Sequence, residues 1–345
     1  MVKNSLPKVS VIIICEEWND FLEESLPYYD KLDYRNFEVI VFSTKPIEGS
    51  NPTSGRTRLI NNDKIKHNPA EKRDKASTYA TGEIYAFIDD DAFPTKDWLN
   101  SAVKHFQDKN VAGVGGPGIT PHNASILEKS SGWVSASPFG GFATTHRFIP
   151  TKEMEVDDFP TMNLLIRAED FKKIGGFDSN FYPGEDTKLC LDLTKKLKKK
   201  IIYDPAAGVY HHKRPLFKKH LIQNGRFGLH RGHFARVLPE TSRRLFYFVP
   251  ALFSIGVIGG LLLTLLNYFF PIELFQILVK IYLFIMSIYT ISLILNSVWI
   301  LIKSKSIPIT LLTIPGVFLT HFWYGIKFIQ GYFKSQMLDK YGRVE

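Results

Sequence analysis

An α/β domain with a parallel or mixed sheet, joined to a membrane-embedded C-terminal part, is the fold class this sequence predicts. Two observations predict it. Short apolar runs alternate with helical patterns through the first ~200 residues, the signature of strands connected by crossover helices. Beyond Arg244 the composition turns hydrophobic: Leu245 to Ile272 and Ile281 to Ile302 contain no charged residue, and Ser306 to Ile326 has no Asp, Glu, Lys or Arg and only His321 as a group that titrates near neutral pH. A membrane-spanning helix needs ~20 largely apolar residues, and each stretch is long enough.

The elements follow in order. Val9–Ile14 reads as a buried strand and Asp20–Tyr29 as a helix, by the spacing of its apolar residues. Phe37–Phe42 is the second strand, and Ser43 to Arg58, rich in Ser, Thr, Pro and Gly, is read as loop. Ala70 to Thr81 is a predicted helix with Gly82 as its cap. Ile84–Ile88 is a strand, Asp97 to Phe106 a helix, and Val111–Val114 a further strand. The pattern loosens after Gly115-Gly116-Pro117-Gly118, and Ser130 to Met154 is a long run of small and aromatic residues suited to a lid or acceptor surface. Asn163–Arg167 reads as strand, Ala168–Ile174 as helix, Asp186–Leu197 as an amphipathic helix, and Ile201–Tyr203 as strand. The segment Lys213–Arg236 places Phe217, Leu221 and Gly228-Leu229 near a helical period among cations, the pattern of an interfacial helix. Of the three apolar stretches, the third contains Pro308, Pro315 and Gly316, so two or three spans are expected between 245 and 330, with 331–345 as a tail.

Charge and cysteines narrow the classes. The formal charge is +9 over 345 residues, and Lys213, Arg214, Lys218, Lys219, Arg226, Arg231, Arg236, Arg243 and Arg244 all precede the first span. Such flanking cations predict that the preceding domain faces the cytoplasm of a cell membrane. Their clustering beside the spans argues against nucleic acid as the partner. No signal peptide is apparent in Met1–Cys15, which agrees with that orientation. Cys15 and Cys190 lie apart in apolar segments, and no CxxC pattern is present. The absence of a GxxxxGK[ST] loop and of a strand-linked GxGxxG weakens P-loop and dinucleotide readings.

The chemistry starts at Asp89-Asp90-Asp91, where the strand Ile84–Ile88 ends in three carboxylates. Loops at the carboxyl ends of strands in open α/β sheets are ligand sites. Hard divalent cations take oxygen ligands and bridge carboxylates to substrate phosphates, so a metal holding a diphosphate is one reading and a solvated acidic turn the other. Glu185 and Asp186 precede a predicted helix and serve either as caps or as a carboxylate base. His211-His212 offers a metal ligand or a polar loop, and Lys72-Arg73-Asp74 a phosphate contact or a solvated helix face.

Taken together these residues resemble glycosyltransferase family 2. Pro7 to Ile13 is similar to its opening strand; Glu71 to Asp74, Gly82 to Asp91, Pro94 and Asp97-Trp98-Leu99 to its metal-site block. Met162 to Arg167, Gly175 to Asp178 and Gly184-Glu185-Asp186 look like its acceptor and base block, and Gln223-Asn224-Gly225-Arg226-Phe227 like its QxxRW element with Phe for Trp. The resemblance covers residues 7 to 236 and implies a GT-A catalytic domain over 1–236, a nucleotide-diphosphate-sugar donor, Mn2+ or Mg2+, and inverting transfer. By position it implies that Asp89 and Asp91 hold metal and diphosphate, with His211 or His212 completing the site. It implies Asp186 as the base beside Glu185, nucleotide contacts from Lys72, Arg73, Asp74 and Asp90, and diphosphate or acceptor contacts from Gln223 and Arg226. Ser43-Thr44-Lys45 stands where the family has an Asp that reads the base, and Ile14-Cys15-Glu16-Glu17 where it has Pro and Asn, so the base is unassigned. A membrane anchor suits a lipid-linked or membrane-proximal glycan acceptor. A polyprenyl-phosphate acceptor and a non-catalytic transferase-like scaffold are the alternatives.

Overall fold

The computed structural model describes residues 6–46, 55–64, 68–178, 181, 184–335 and 337. They divide into two compact units, one of residues 1–121, 146–212 and 336–345, the other of residues 122–145 and 213–335.

The first unit is a mixed sheet flanked by helices. In chain order its elements are β1 (Val9–Cys15), α1 (Asp20–Tyr29), β2 (Phe37–Ser43), β3 (Thr57–Asn61), α2 (Pro69–Ser77), β4 (Ile84–Asp89), β5 (Ala92–Pro94), α3 (Trp98–Val103), β6 (Val111–Gly115) and β7 (Gly118–Ile119). After the excursion into the second unit, where α4 (Ile126–Ala136) and α5 (Pro138–Gly141) lie, come β8 (Met154–Val156), β9 (Asn163–Arg167), α6 (Ala168–Ile174), α7 (Glu185–Leu191), β10 (Lys200–Tyr203) and β11 (Val209–His211). The eight-stranded sheet has the order β3-β2-β1-β4-β9-β6-β10-β8. Its strands run parallel except β9 and β8, which oppose their neighbours. Strands β1, β2 and β4 are buried on both faces, as near-continuous Val/Ile/Phe runs require. Two apolar cores result. One packs Leu22, Leu26, Trp98 and Leu99 against one face, and the other packs Phe171, Phe177, Leu189 and Leu193 against the other.

Several elements depart from the sequence expectation. The stretch read as loop, 43–58, runs at its end into β3, a polar edge strand whose residues are only partly covered; residues 47–54 of that stretch lie outside the described residues. Helix α2 starts at Pro69, capped by Asn68, and ends at Ser77 instead of Thr81. Gly82 is therefore not its cap: a Cβ there would meet Ser10 and Lys8 of the neighbouring strand, so close backbone approach selects glycine. The helix predicted over 97–106 is α3 followed by a 3-10 turn at Lys104–Gln107. That predicted over 186–197 is α7 followed by a wider turn at Asp192–Lys196. Three short strands, β5, β11 and β7, form a second sheet with β11 in the middle.

The second unit is helical. Besides α4 and α5 it holds α8 (Lys218–Val237), α9 (Pro239–Ser242), α10 (Leu245–Phe269), α11 (Glu273–Ser304) and α12 (Ile307–Phe333). Helices α10, α11 and α12 are each long and apolar enough to cross a membrane. The third apolar stretch is thus one unbroken helix of 27 residues, with Pro308 in its first turn and Pro315 inside. The stretch read as lid or acceptor surface opens with α4 and α5, which join this unit. Trp133 stacks edge-on to Trp299 of α11, and Asn296 accepts from the Phe139 backbone N–H at 3.1 Å.

Helix α8 lies against α12 through glycines. A Cβ at Gly228 would press on the Tyr324 carbonyl, at Gly232 on that of Phe328, and at Gly331 on that of Leu229. Small residues let two helix backbones approach this closely. We expect Gly232→Val to destabilise the second unit by about 3 kcal/mol through overpacking, read as a lowered thermal midpoint of the detergent-solubilised protein. The same change at Gly256, where a Cβ meets nothing within 4 Å, should leave it unmoved.

Candidate active site

The three acids after β4 point three ways. Parallel pairing sets Asp89 beside Ile14 at the carboxyl end of β1. Its Oδ1 accepts from Arg73 Nη2 at 3.1 Å. Asp90 accepts from Asn19 Nδ2 at 2.8 Å, and Asn19 also caps α1 through Leu22 N–H. Burial, then the charges of Asp91 and Asp89, push the Asp90 carboxyl up to about 6 against the Asn19 hydrogen bond. Asp91, buried, lies 3.1 Å through Oδ1 from Nε2 of His211.

Strand β11 explains which histidine faces the acids. It pairs antiparallel with β5, placing His211 opposite Ala92 and so next to Asp91. Ligand atoms of Asp89, Asp91 and His211 all lie within 4.8 Å of one another. Two carboxylate oxygens and one imidazole nitrogen are donors that a divalent ion such as Mn2+ accepts, so the residues fit a metal. His212 is turned elsewhere: its Nε2 is 2.8 Å from Glu24 Oε2, and its backbone N–H donates to the Asp91 carbonyl. A second group, His105, Glu153 and Asp204, also brings ligand atoms together. There Lys104 Nζ already stands 3.0 Å from the Asp204 carboxylate and supplies the positive charge.

Helix α2 brings two charged residues toward the acids and turns a third away. Arg73 is buried and forked: Nη1 donates to Glu185 Oε1 at 2.8 Å while Nη2 holds Asp89. Lys72, also buried, approaches the Cys15 carbonyl at 3.4 Å at the end of β1. Asp74 instead accepts from the Phe177 backbone N–H at 2.9 Å, fixing the Gly175-Gly176 turn, where both glycines have positive φ. Glu185 and Asp186 form the first turn of α7, behind Gly184 at φ 146°. Glu185 Oε2 accepts from Gly184 N–H at 3.0 Å, and Asp186, half-buried, accepts from Thr187 N–H. Gln223 and Arg226 lie on α8 in the second unit, Arg226 exposed.

Sequence reasoning missed Asn19 and Glu24. The signal for Asn19 was present, since an Asn just before an amphipathic helix is a preferred cap; nothing local marks Glu24.

Asp74 gives a pH test. Burial chiefly raises its carboxyl to about 6, against the Phe177 hydrogen bond and the Arg73 charge. A folded-state pKa above the unfolded one means stability is lost as pH rises through that window. Asp74→Asn keeps an acceptor for Phe177. Its thermal midpoint relative to the unaltered protein should therefore rise between about pH 4 and about pH 6. A flat difference would show that Asp74 titrates normally.

This geometry meets its relatives at the family level. The model for "Glycosyl transferase family group 2" matches residues 84–312, more than half of the chain and including all of the Asp89–Asp91–His211 group. The chain belongs to family 2 of the glycosyltransferases. The chain is 26% identical over 168 residues to the pre-mycofactocin glycosyltransferase of Mycobacterium tuberculosis, covering 46% of this chain and 33% of that protein. It is 23% identical over 150 residues to the glucosyl-dolichyl phosphate glucuronosyltransferase of Haloferax volcanii, covering 40% and 46%. The chain thus spans less than half the length of either relative. Among solved structures, the mannosyltransferase PcManGT from Pyrobaculum calidifontis, in complex with GDP-Man and Mn2+, superposes with TM-score 0.53 at 17% identity. That superposition covers 95% of this chain and 88% of that one, a likeness of fold. The expected GT-A architecture, with apolar helices after it, is the one observed.

Proposed function

We propose that this family 2 transferase moves a sugar, with inversion, from a nucleotide diphosphate sugar to a hydroxyl of a lipid-linked or membrane-proximal glycan. The observation that carries the reading is the Asp89, Asp91 and His211 group at the carboxyl edge of the sheet, tied through Arg73 to the Glu185-Asp186 turn. A divalent cation bound there would offset charge on the departing nucleotide diphosphate. The carboxylate of Asp186 accepts the proton of the acceptor hydroxyl as its oxygen bonds to the anomeric carbon. The bond from that carbon to the diphosphate breaks, and its electron pair leaves with the nucleotide. His211 and Asp91 orient one another, and Asn19 keeps Asp90 from swinging into the same space.

Several features support the membrane side of the proposal. Three helices suited to crossing a bilayer follow the catalytic residues in sequence, and the Haloferax relative is named for a dolichyl phosphate-linked substrate. The cations from Lys213 to Arg244 favour a catalytic domain on the cytoplasmic side. The exposed cations and apolar residues of α8, Lys218, Lys219, Ile222, Arg226 and Phe227, suit an interfacial helix. The Pyrobaculum structure holds GDP-Man and Mn2+, a donor and an ion of the class proposed here. A panel of nucleotide sugars supplied to purified membranes with Mn2+ or Mg2+ tests the reading. Labelled lipid identified by mass spectrometry is the expected result. Absence of both labelled lipid and released nucleoside diphosphate would favour the non-catalytic scaffold.

A further inference from the structure

We infer that Arg73 is a positioning residue that couples the metal-binding carboxylates to the Glu185-Asp186 turn, and that it does not serve as a contact to the nucleotide. The inference rests on the metal site proposed above and deepens it.

Four observations carry it. The Arg73 guanidinium is buried, with both terminal nitrogens committed, one to Glu185 at 2.8 Å and one to Asp89 at 3.1 Å. Glu185 is itself buried, and its second oxygen takes the N–H of Gly184, so the carboxylate is held on both sides. The next residue of α2, Asp74, grips the other end of the same stretch through Phe177 N–H. Phe177 in turn lies 5.8 Å under the guanidinium. Helix α2 therefore holds both Phe177 and Glu185 and reaches Asp89 from the same turn. A planar fork suits this double duty, and an ammonium cannot reproduce it. Buried charges held this way are costly to leave unpaired, so the three groups are energetically linked.

The link has a definite sign. Arg73 shares its single positive charge between two carboxylates. When Glu185 loses its charge, the whole of that cation acts on Asp89, and Asp89 becomes a poorer ligand for a divalent ion. Glu185 lies outside the group of metal-ligand atoms, so an effect on metal affinity must travel through Arg73 or through space.

The test uses the full chain in detergent, with Mn2+ alone as the probe, titrated calorimetrically without donor. Glu185→Gln, which keeps the shape and one of the two accepted hydrogen bonds while removing the charge, should weaken Mn2+ binding at least about threefold. Arg73→Lys keeps the charge but loses the fork; it should also change Mn2+ affinity, and in its background the Glu185→Gln effect should fall to less than half. A coupling of that kind appears as non-additivity. At saturating donor, Arg73→Lys should lower kcat about tenfold or more with the donor KM little changed. Thermal melting verifies that each variant folds, and if Arg73→Lys does not, the doubly neutral Arg73→Met/Glu185→Gln should regain the Mn2+ affinity lost in Glu185→Gln. Mn2+ affinity unchanged in Glu185→Gln, or effects that add independently, would overturn the link. So would a rise in donor KM with kcat intact in Arg73→Lys, which marks a nucleotide contact. Failure of the unaltered chain to turn over any donor would sink the transferase reading, and the Mn2+ cycle would still decide the role of Arg73. Turnover without Mn2+ binding would sink the metal site and the coupling together and leave the transferase reading standing.

Discussion

Asp91→Asn should cost the transferase its metal-dependent turnover, by on the order of 10^3-fold or more if the cation supplies several kcal/mol of charge stabilisation. The substitution keeps the side-chain volume and an oxygen that can still accept from His211, so the pairing of β5 with β11 is preserved. It removes the charge that makes the carboxylate a strong ligand for a hard cation. Circular dichroism and thermal melting should match the unaltered protein, while calorimetric Mn2+ binding weakens sharply. Full activity of this variant in the presence of chelator would eliminate the metal assignment. His211→Ala should weaken Mn2+ binding and His212→Ala should not, because only the first histidine stands within reach of the two carboxylates.

Asp186→Asn should bind donor normally and transfer about 10^2 to 10^4 times more slowly, the range that a positioned general base contributes. Asparagine retains the hydrogen bond from Thr187 N–H and the helix start, so α7 should keep its place. The carboxylate's ability to take a proton is what disappears. Retained donor affinity with lost turnover is the signature of an interaction made in the transition state. A near-normal rate in Asp186→Asn, alongside a dead Glu185→Gln whose Mn2+ binding is intact, would give the base role to Glu185 instead.

Much of this site could be read from residues alone, because its main signals are local. A buried strand that ends abruptly in three acids announces itself, and so does a Gly-Glu-Asp sequence opening a helix. What the three acids do individually was not legible. Asp89, Asp90 and Asp91 look equivalent in sequence, yet Arg73, Asn19 and His211 sort them into different roles from three distant elements. The choice between His211 and His212 depends on antiparallel pairing with β5, a strand of three residues that no periodicity can reveal. Asp74 likewise looks like a partner of Lys72 and Arg73, but one residue of helical rotation aims it at Phe177. The edge strand β3 was hidden because it is polar and half-covered. Helix α4 was hidden because Ser130, Ser131 and Gly132 bury against partners far along the chain, where small polar residues read locally as loop.

The excursion at residues 122–145 bears on how this chain can be cut. A soluble fragment ending after His212 would seem a natural way to isolate the catalytic domain. It would still contain α4 and α5, whose apolar contacts include α11, α12 and the residues just before α8: Val134 against Val317 and Leu216, Trp133 against Trp299, Phe139 against Tyr289. Stripped of those helices, the fragment would display an orphaned hydrophobic surface and should self-associate. Replacing residues 122–145 with a short hydrophilic connector in the same fragment should restore a monodisperse species in gel filtration, whereas trimming the C-terminus alone should not.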